Sequence, residues 1–352
     1  MATSGLLRRL GMALPIVQAP MGGGPSTPEL IAAVSNAGGL GSLGAAYLTP
    51  EQILDAIRRI RALTVKPFGV NLFAGAYQIE NAVDPAPMLA LLGEAHAALG
   101  LPPPAVPVLP PDPFGDQLAA VLEARPPIFS FTFGIPQPQD IARLRSRDIA
   151  IVGTATTVEE ARLLDAAGVD GILAQGAGAG AHRGTFLGRF EDAMVLTLDL
   201  VRGIARAVAR PVMASGGIMD GADIAGALKA GASAAALGTA FLACPESGAS
   251  DAYKRAVLAA GSDTTVVTRA FSGRPARGLA NAFIAKLREH EGDILPYPLQ
   301  NALTRAMRTA AAQRGDPGFL SLWAGTGVAR ARALPAGTLM RELASELSAA
   351  GG

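Results

Sequence analysis

Two glycine-rich turns and one histidine carry most of the chemistry that this 352-residue chain advertises. Ser215-Gly216-Gly217-Ile218 follows an apolar run and precedes a helical pattern, and Leu237-Gly238-Thr239 ends the next apolar run. Glycine at such turns lets backbone N–H groups approach an anion, and a following helix N-terminus adds a favourable dipole. A phosphate is the natural occupant; tight turns that need glycine for positive φ are the structural alternative. A third constellation is Gln175-Gly-Ala-Gly-Ala-Gly-Ala-His182-Arg183-Gly184. Gly176, Gly178 and Ala181 fit the dinucleotide fingerprint G-x-G-x-x-G/A, but Arg183-Gly-Thr-Phe-Leu-Gly188 does not open the helix that this fingerprint requires.

Of three histidines, only His182 falls at the end of an expected strand beside glycine-dense backbone. Its imidazole titrates near neutrality and suits proton abstraction; a loop histidine with a structural hydrogen bond is the alternative. His96, in Glu94-Ala-His-Ala-Ala98, reads as a surface residue, and His290, between Glu289 and Glu291, as a solvated one. The histidines lack metal-ligand spacing. The single cysteine, Cys244, excludes a disulfide framework and a thiolate metal site. Followed by Pro245, it reads as a small buried hydrophobe. Gln18-Ala-Pro-Met21 and Asn71 end two further apolar runs and offer donors and acceptors to a flat heterocycle. Without a carboxylate pair, metal cluster or nucleophile elbow, the pattern points to a bound cofactor as the source of the chemistry.

The elements that must position these residues follow one rhythm. Apolar runs begin at Ile16, Leu40, Phe68, Ile128, Ile149, Gly171, Pro211 and Ala234, and helical patterns lie between them. The runs are continuous rather than alternating, as expected of parallel strands buried on both faces. Thr49 and Thr157 stand as helix N-caps before Ile53, Ile57 and Ile60 and before Leu163 and Leu164, both of which are expected to face inward; Gly168 stops the second helix. Asp220 opens another helix that ends near Gly231. Eight β-α units over roughly 240 residues predict a (β/α)8 TIM barrel, with a doubly wound sheet as the alternative. Either places the site at the C-terminal ends of the strands. Residues 6–265 form the barrel, with an insert at 74–127 after strand 3 that contains a Pro-rich stretch from Pro102 to Pro113. Residues 266–352 form a helical extension, with helices expected at 279–290 and 299–313, that caps the barrel mouth.

Composition narrows the function. Lys plus Arg is 30 and Asp plus Glu is 29, a net charge of +1 that leaves no footprint for nucleic acid or an anionic membrane surface. Half the residues are hydrophobic and 17 % are charged, so the chain buries a large core. Arg8 and Arg9 are not followed by the apolar region of a signal peptide. The longest uncharged stretch, Leu30 to Pro50, is broken by glycines, Ser35 and Asn36 and is a poor membrane span. A cytoplasmic protein is expected.

Pro15-Ile-Val-Gln-Ala-Pro-Met21, Ser35-Asn-Ala-Gly-Gly-Leu-Gly41, Val70-Asn71, Ser130-Phe-Thr-Phe-Gly134, Ala174-Gln-Gly176, His182-Arg-Gly184, Ala214-Ser-Gly-Gly217, Leu237-Gly-Thr239 and Leu295-Pro-Tyr-Pro-Leu-Gln300 occur in this order. In that order they resemble the nitronate monooxygenases, FMN-dependent barrels once called 2-nitropropane dioxygenases. The resemblance runs from about residue 6 to beyond 300. It implies that Ala19, Pro20 and Met21 line the flavin, that Asn71 and Gln175 hydrogen-bond its ring or ribityl chain, and that Gly180, Gly217, Gly238 and Thr239 hold its phosphate side beside Ala236 and Leu237. His182 would be the base or the polar partner of the substrate, with Tyr253 and Tyr297 shaping the pocket. The family's Gln-Gly-x-Glu-Ala-Gly-Gly-His departs here: Gly178 replaces the Glu and Ala181 a Gly. The implied activity is oxidative denitrification of alkyl nitronates, or of nitroalkanes, with O2. An FMN-dependent NAD(P)H oxidoreductase acting on a quinone or enoyl thioester is the alternative, and a non-catalytic flavin-binding protein a third. The expected partners are a small-molecule substrate and O2, with neither nucleic acid nor membrane; homo-oligomerisation is left open.

Overall fold

The structure, a computed structural model, describes residue 7, residues 10–75 and residues 83–351. Arg8, Arg9 and positions 76–82 of the insert lie outside the described residues.

Among the described residues, eleven strands form two sheets. The large one holds β1 (Ile16–Gln18), β2 (Gly41–Gly44), β3 (Phe68–Phe73), β4 (Ile128–Thr132), β5 (Ala150–Ala155), β6 (Gly171–Gln175), β8 (Val212–Ser215) and β9 (Ala234–Leu237). The small one joins β7 (Ala181–His182), β10 (Thr265–Thr268) and β11 (Ala276–Leu279). Neighbours in the large sheet are parallel, and β1 pairs with β9 in the register Val17 to Ala236. A single bridge from Val17 to Leu40 brings β1 to the segment leading into β2; the Gln18 N–H donates to the Leu40 carbonyl at 2.9 Å. The eight strands thus close into a (β/α)8 barrel. The eight apolar runs of the sequence are its eight strands, with ends shifted by one or two residues.

The alternation hidden in those runs decides which residues reach the site. Phe68, Val70 and Leu72 of β3 point outward into the core beneath the helices, so Asn71 and Phe73 point inward. In β9 Ala236 points inward and Leu237 outward. Below the site the interior is packed by Val17, Ile128, Val152, Met213 and Ala236, with Leu7, Leu10 and Met12 at the same cluster. Around it, helices lay apolar stripes on the strands. Thr49 and Gln52 form a reciprocal capping box that starts helix Pro50–Leu63, which buries Ile53, Ile57 and Ile60. Each such side chain contributes about 1.5–3 kcal/mol through burial. Thr157 and Glu160 cap helix Val158–Ala167 in the same way, and Gly168 ends it at φ +84°. Leu164 is buried there, but Leu163 is exposed: one residue back turns the side chain about 100° round the helix, here off the buried face.

Two regions differ from expectation. The insert contains helices Ala86–Ala98 and Phe114–Ala124; the second is the barrel's own crossover from β3 to β4, packed on helix Pro50–Leu63. The first buries Met88 and Leu92 against Phe271, Phe283 and Met307, so insert and C-terminal extension share one satellite core. That packing buries His96, read from the sequence as a surface residue; its Nδ1 lies 2.7 Å from the Pro102 carbonyl. The extension is not purely helical, because it supplies β10 and β11. Helix Ala282–Leu287, continued by a 3-10 segment, stands where 279–290 was expected, and helices Leu299–Leu303 and Arg305–Arg314 where 299–313 was. The last helix, Ala336–Ala350, packs on the barrel's flank against helices Pro28–Asn36 and Gly221–Lys229, burying Leu339, Met340 and Leu343. Among the described residues no helix is long and apolar enough to cross a membrane.

Candidate active site

A cavity of about 640 Å³ opens at the C-terminal ends of the barrel strands. Of the residues singled out above, Ala19, Pro20, Met21, Asn71, Gln175, Gly180, His182, Gly217, Ala236, Gly238, Thr239 and Tyr253 line it. Leu237 points into the outer core, and Tyr297 lies behind His182, their rings 6.3 Å apart. Gln18 is buried and turned away; its amide serves the Ser26 hydroxyl and the Ser42 N–H.

One end of the cavity is built from backbone. The amides of Gly180, Gly217, Gly238 and Thr239 have no hydrogen-bond partner among the described residues. Gly217 sits at φ +74°, in the left-handed region that a side chain disfavours. Gly180 lies so close to the Ala324–Gly325 backbone that a Cβ there would approach the Ala324 carbonyl carbon to 2.6 Å. The Thr239 hydroxyl accepts from the Gly325 N–H at 2.9 Å, which ties the C-terminal extension to this end. Convergent unpaired N–H groups at strand ends suit a phosphate, and so fit the group that the glycine turns implied.

The other end is built from side chains. β7 pairs His182 with Ala276 of β11, so the histidine rides on a small sheet that the extension completes. The Gln175 amide donates to the His182 carbonyl at 2.9 Å and accepts from the Gly184 N–H at 2.7 Å, clamping the turn. Arg183 is fully buried and donates to the carbonyls of Gln175, Gly176 and Ala193. Buried Glu160 accepts from the N–H groups of Phe186 and Leu187. Together they fix both sides of the loop that presents His182. Ala181 takes φ +63°, which explains a glycine preference at that position; alanine tolerates it at about 1 kcal/mol. A Cβ at Gly178 would lie 2.8 Å from the Thr326 hydroxyl, and the Thr326 N–H donates to the Gly178 carbonyl. A glutamate at that position would require the Thr326 side chain to turn away.

Phe73, Phe133, Tyr297 and Trp323 surround the His182 ring, with centroids 5.5–6.4 Å away. Arg274 stacks over Phe133, its guanidinium carbon 3.8 Å from the ring centroid. Arg308, on the cavity wall, donates to the Asn301 carbonyl and side-chain oxygen at 2.7 and 2.9 Å. Neither arginine has a carboxylate within 4 Å among the described residues. Burial lowers both to about 10. Burial first, and then the charges of Arg274 and Arg308, push His182 from 6.5 down to about 3. Its imidazole is therefore neutral at physiological pH, in a pocket of positive potential that favours an anion. The Tyr253 hydroxyl donates to the Trp323 carbonyl, and burial raises its pKa. It fixes Trp323. Asn71 donates to the Ser130 hydroxyl at 3.0 Å, which leaves its carbonyl oxygen for a ligand. Arg274, Arg308 and Trp323 were not singled out from the sequence. The only cue was composition: Trp323 is the chain's one tryptophan, in an otherwise apolar segment.

A barrel whose strand ends hold an anion cradle and a caged histidine in one cavity has the layout of a cofactor-dependent enzyme, and its relatives make it an oxidoreductase. The nitronate monooxygenase family model matches residues 6–346, and the chain belongs to that family. A probable nitronate monooxygenase of Staphylococcus aureus is 40 % identical over 344 residues, 97 % of each chain. The structure of nitroalkane oxidase from Streptomyces ansochromogenes is 45 % identical, covers 99 % of both chains and superposes with a TM-score of 0.90. That of FabK from Thermotoga maritima is 28 % identical over 99 % of this chain and 97 % of its own, with a TM-score of 0.78. The family is flavin-dependent.

Proposed function

We propose that this chain binds FMN and oxidises alkyl nitronates, such as propionate 3-nitronate, with O2. The product is a carbonyl compound, the nitrogen leaving as nitrite or related oxides. The observation that carries this reading is His182 beside two half-buried, carboxylate-free arginines, at one cavity with four unpaired backbone amides. Gly180, Gly217, Gly238 and Thr239 would hold the phosphate, with Ala236 and the Leu237 backbone beside them. Ala19, Pro20 and Met21 would flank the ring, and Asn71 would accept from it. Gln175 spends its side chain on the His182 turn and would reach the cofactor with its remaining N–H. The flavin would supply the electron-accepting chemistry that no side chain here offers.

The chain's own residues bind and orient. The field of Arg274 and Arg308 holds the nitronate as an anion and stabilises the one formed from a nitroalkane. With a nitroalkane, His182 would take the α-proton as the nitronate forms, that anion offsetting the burial and the arginine charges that otherwise disfavour the imidazolium. Tyr297 and Trp323 keep its ring in place, and residues 266–331 cover the mouth. We place the enzyme in the cytoplasm. The likeness to FabK supports a second reading, an FMN-dependent NAD(P)H oxidoreductase. An absorbance spectrum of the purified protein, followed by anaerobic titration, tests both. Bound FMN bleached by propionate 3-nitronate and untouched by NADH or NADPH is the expected result. Bleaching by the nucleotide alone supports the second reading, and protein that neither carries nor takes up flavin overturns both.

A further inference from the structure

Ser272 lies buried in the turn between β10 and β11, and its hydroxyl has three polar neighbours. The Arg274 N–H donates to Oγ at 3.3 Å, Oγ donates to the Arg274 carbonyl at 3.1 Å, and His182 Nε2 lies 2.9 Å from Oγ. A hydroxyl has one proton and two lone pairs. All three contacts are hydrogen bonds only if the hydroxyl proton goes to the Arg274 carbonyl and Nε2 brings its own. Turning the hydroxyl toward Nε2 leaves that carbonyl without a donor among the described residues, and an unmet polar group in such a place costs about 1–3 kcal/mol.

We infer that Ser272 holds His182 in its Nε2–H tautomer, so that the bare Nδ1 is the atom that takes a proton from substrate. Nδ1 has no protein partner among the described residues, yet it is not one of the sealed, unpaired nitrogens; it opens on the cavity that His182 lines. The ring cannot readily turn over to exchange its nitrogens, because four aromatic rings pack around it. Ring and hydroxyl are also fixed to each other. The Arg183 N–H donates to the Pro275 carbonyl at 2.8 Å, and His182 pairs with Ala276, so both ride on one short sheet. Ser272 is thus a positioning residue: it touches no substrate and acts by choosing which nitrogen carries the lone pair.

This inference rests on the nitroalkane branch of the proposed function, and two readouts keep the two apart. The first is long-range ¹H–¹⁵N NMR of the holoprotein with labelled histidine, His182 being assigned by its loss in His182→Asn. A protonated Nε2 and an unprotonated Nδ1 are expected, with the Nδ1–H form gaining population in Ser272→Ala. The second is anaerobic flavin reduction. In Ser272→Ala, the rate with a neutral nitroalkane should fall about tenfold or more relative to the rate with preformed nitronate. Ser272→Thr, which keeps a hydroxyl, should restore both signals. A wild-type histidine protonated at Nδ1 overturns the inference, as does a Ser272→Ala enzyme unchanged in both readouts. If neither nitroalkane nor nitronate reduces the flavin, the proposed function fails while the NMR still decides the tautomer.

Discussion

The two ends of the cavity are made of different material. The phosphate end is backbone: glycines at the ends of β8 and β9, joined by Gly180 from the loop after β6, offering N–H groups that need no side chain. The histidine end is side chains drawn from β3, β4, the loop after β6 and residues 272–323 of the extension. Backbone geometry is local and tolerates any sequence that permits the turn. A caged imidazole needs many distant residues to agree at once. The cofactor grip should therefore be sturdy and generic, and the catalytic end specific and easily broken.

The comparison is broken hardest by His182→Asn. Asparagine keeps a polar side chain of similar reach but takes no proton. The variant should stay yellow, because the four amides that would hold the phosphate are backbone groups and need no side chain at residue 182. Turnover of a neutral nitroalkane should fall by about 10²–10⁴-fold, the usual contribution of a positioned base, while preformed nitronate suffers much less. Full nitroalkane turnover with bound FMN would remove His182 from the base role. The converse variant is Gly217→Val. A β-branched residue at φ +74° is strained, and its Cβ would sit 2.9 Å from the Thr326 hydroxyl, so the turn must shift. Losing one charge-assisted hydrogen bond to a phosphate amounts to about 1.5–3 kcal/mol, or roughly 10- to 150-fold in Kd for FMN. Flavin-fluorescence titration of the apoprotein, with circular dichroism as the folding control, would measure it. An unchanged Kd would move the phosphate elsewhere.

The same contrast explains what could be read from the sequence. Eight strands, three helix caps and the glycine turns of β8 and β9 were legible, because each is written in consecutive residues with a short-range physical cause. Asn71, Gln175 and His182 were legible as strand-end polar groups. Leu237 shows the limit: its neighbour Ala236 faces the cavity and it does not, a parity that a continuous apolar run conceals. Gln18 was misjudged for a related reason, since a buried amide can be consumed by a neighbouring loop and the adjoining strand β2. Arg274, Arg308, Ser272 and Trp323 gain their meaning only from packing between the extension and the barrel. His96 likewise owes its burial to the insert meeting the extension.

The finest test of the difference is pH, because only the histidine end titrates unusually. His182 is pushed from 6.5 down to about 3 by burial and by the charges of Arg274 and Arg308. In the folded protein it stays neutral until the pH nears 3, whereas the unfolded chain takes up its proton below 6.5. Between those values the unfolded state holds more protons. His182 therefore contributes stability that is fully present above 6.5 and is lost as the pH falls toward 3. For activity, the expected consequence is the absence of a break: kcat/KM for a neutral nitroalkane should show no His182 inflection between about pH 5 and pH 7.5, where an ordinary histidine titrates. Arg308→Met removes one of the two charges and leaves the burial. Its acid limb should move upward, and its denaturation midpoint should depend less on pH between about 3 and 5 than that of the wild type. The same variant should raise KM for an anionic nitronate by about tenfold, as loss of a charged hydrogen-bond donor does. A wild-type inflection near 6.5 that disappears in His182→Asn would mean that the pocket does not hold the imidazole neutral, and that its field comes from elsewhere than the two arginines.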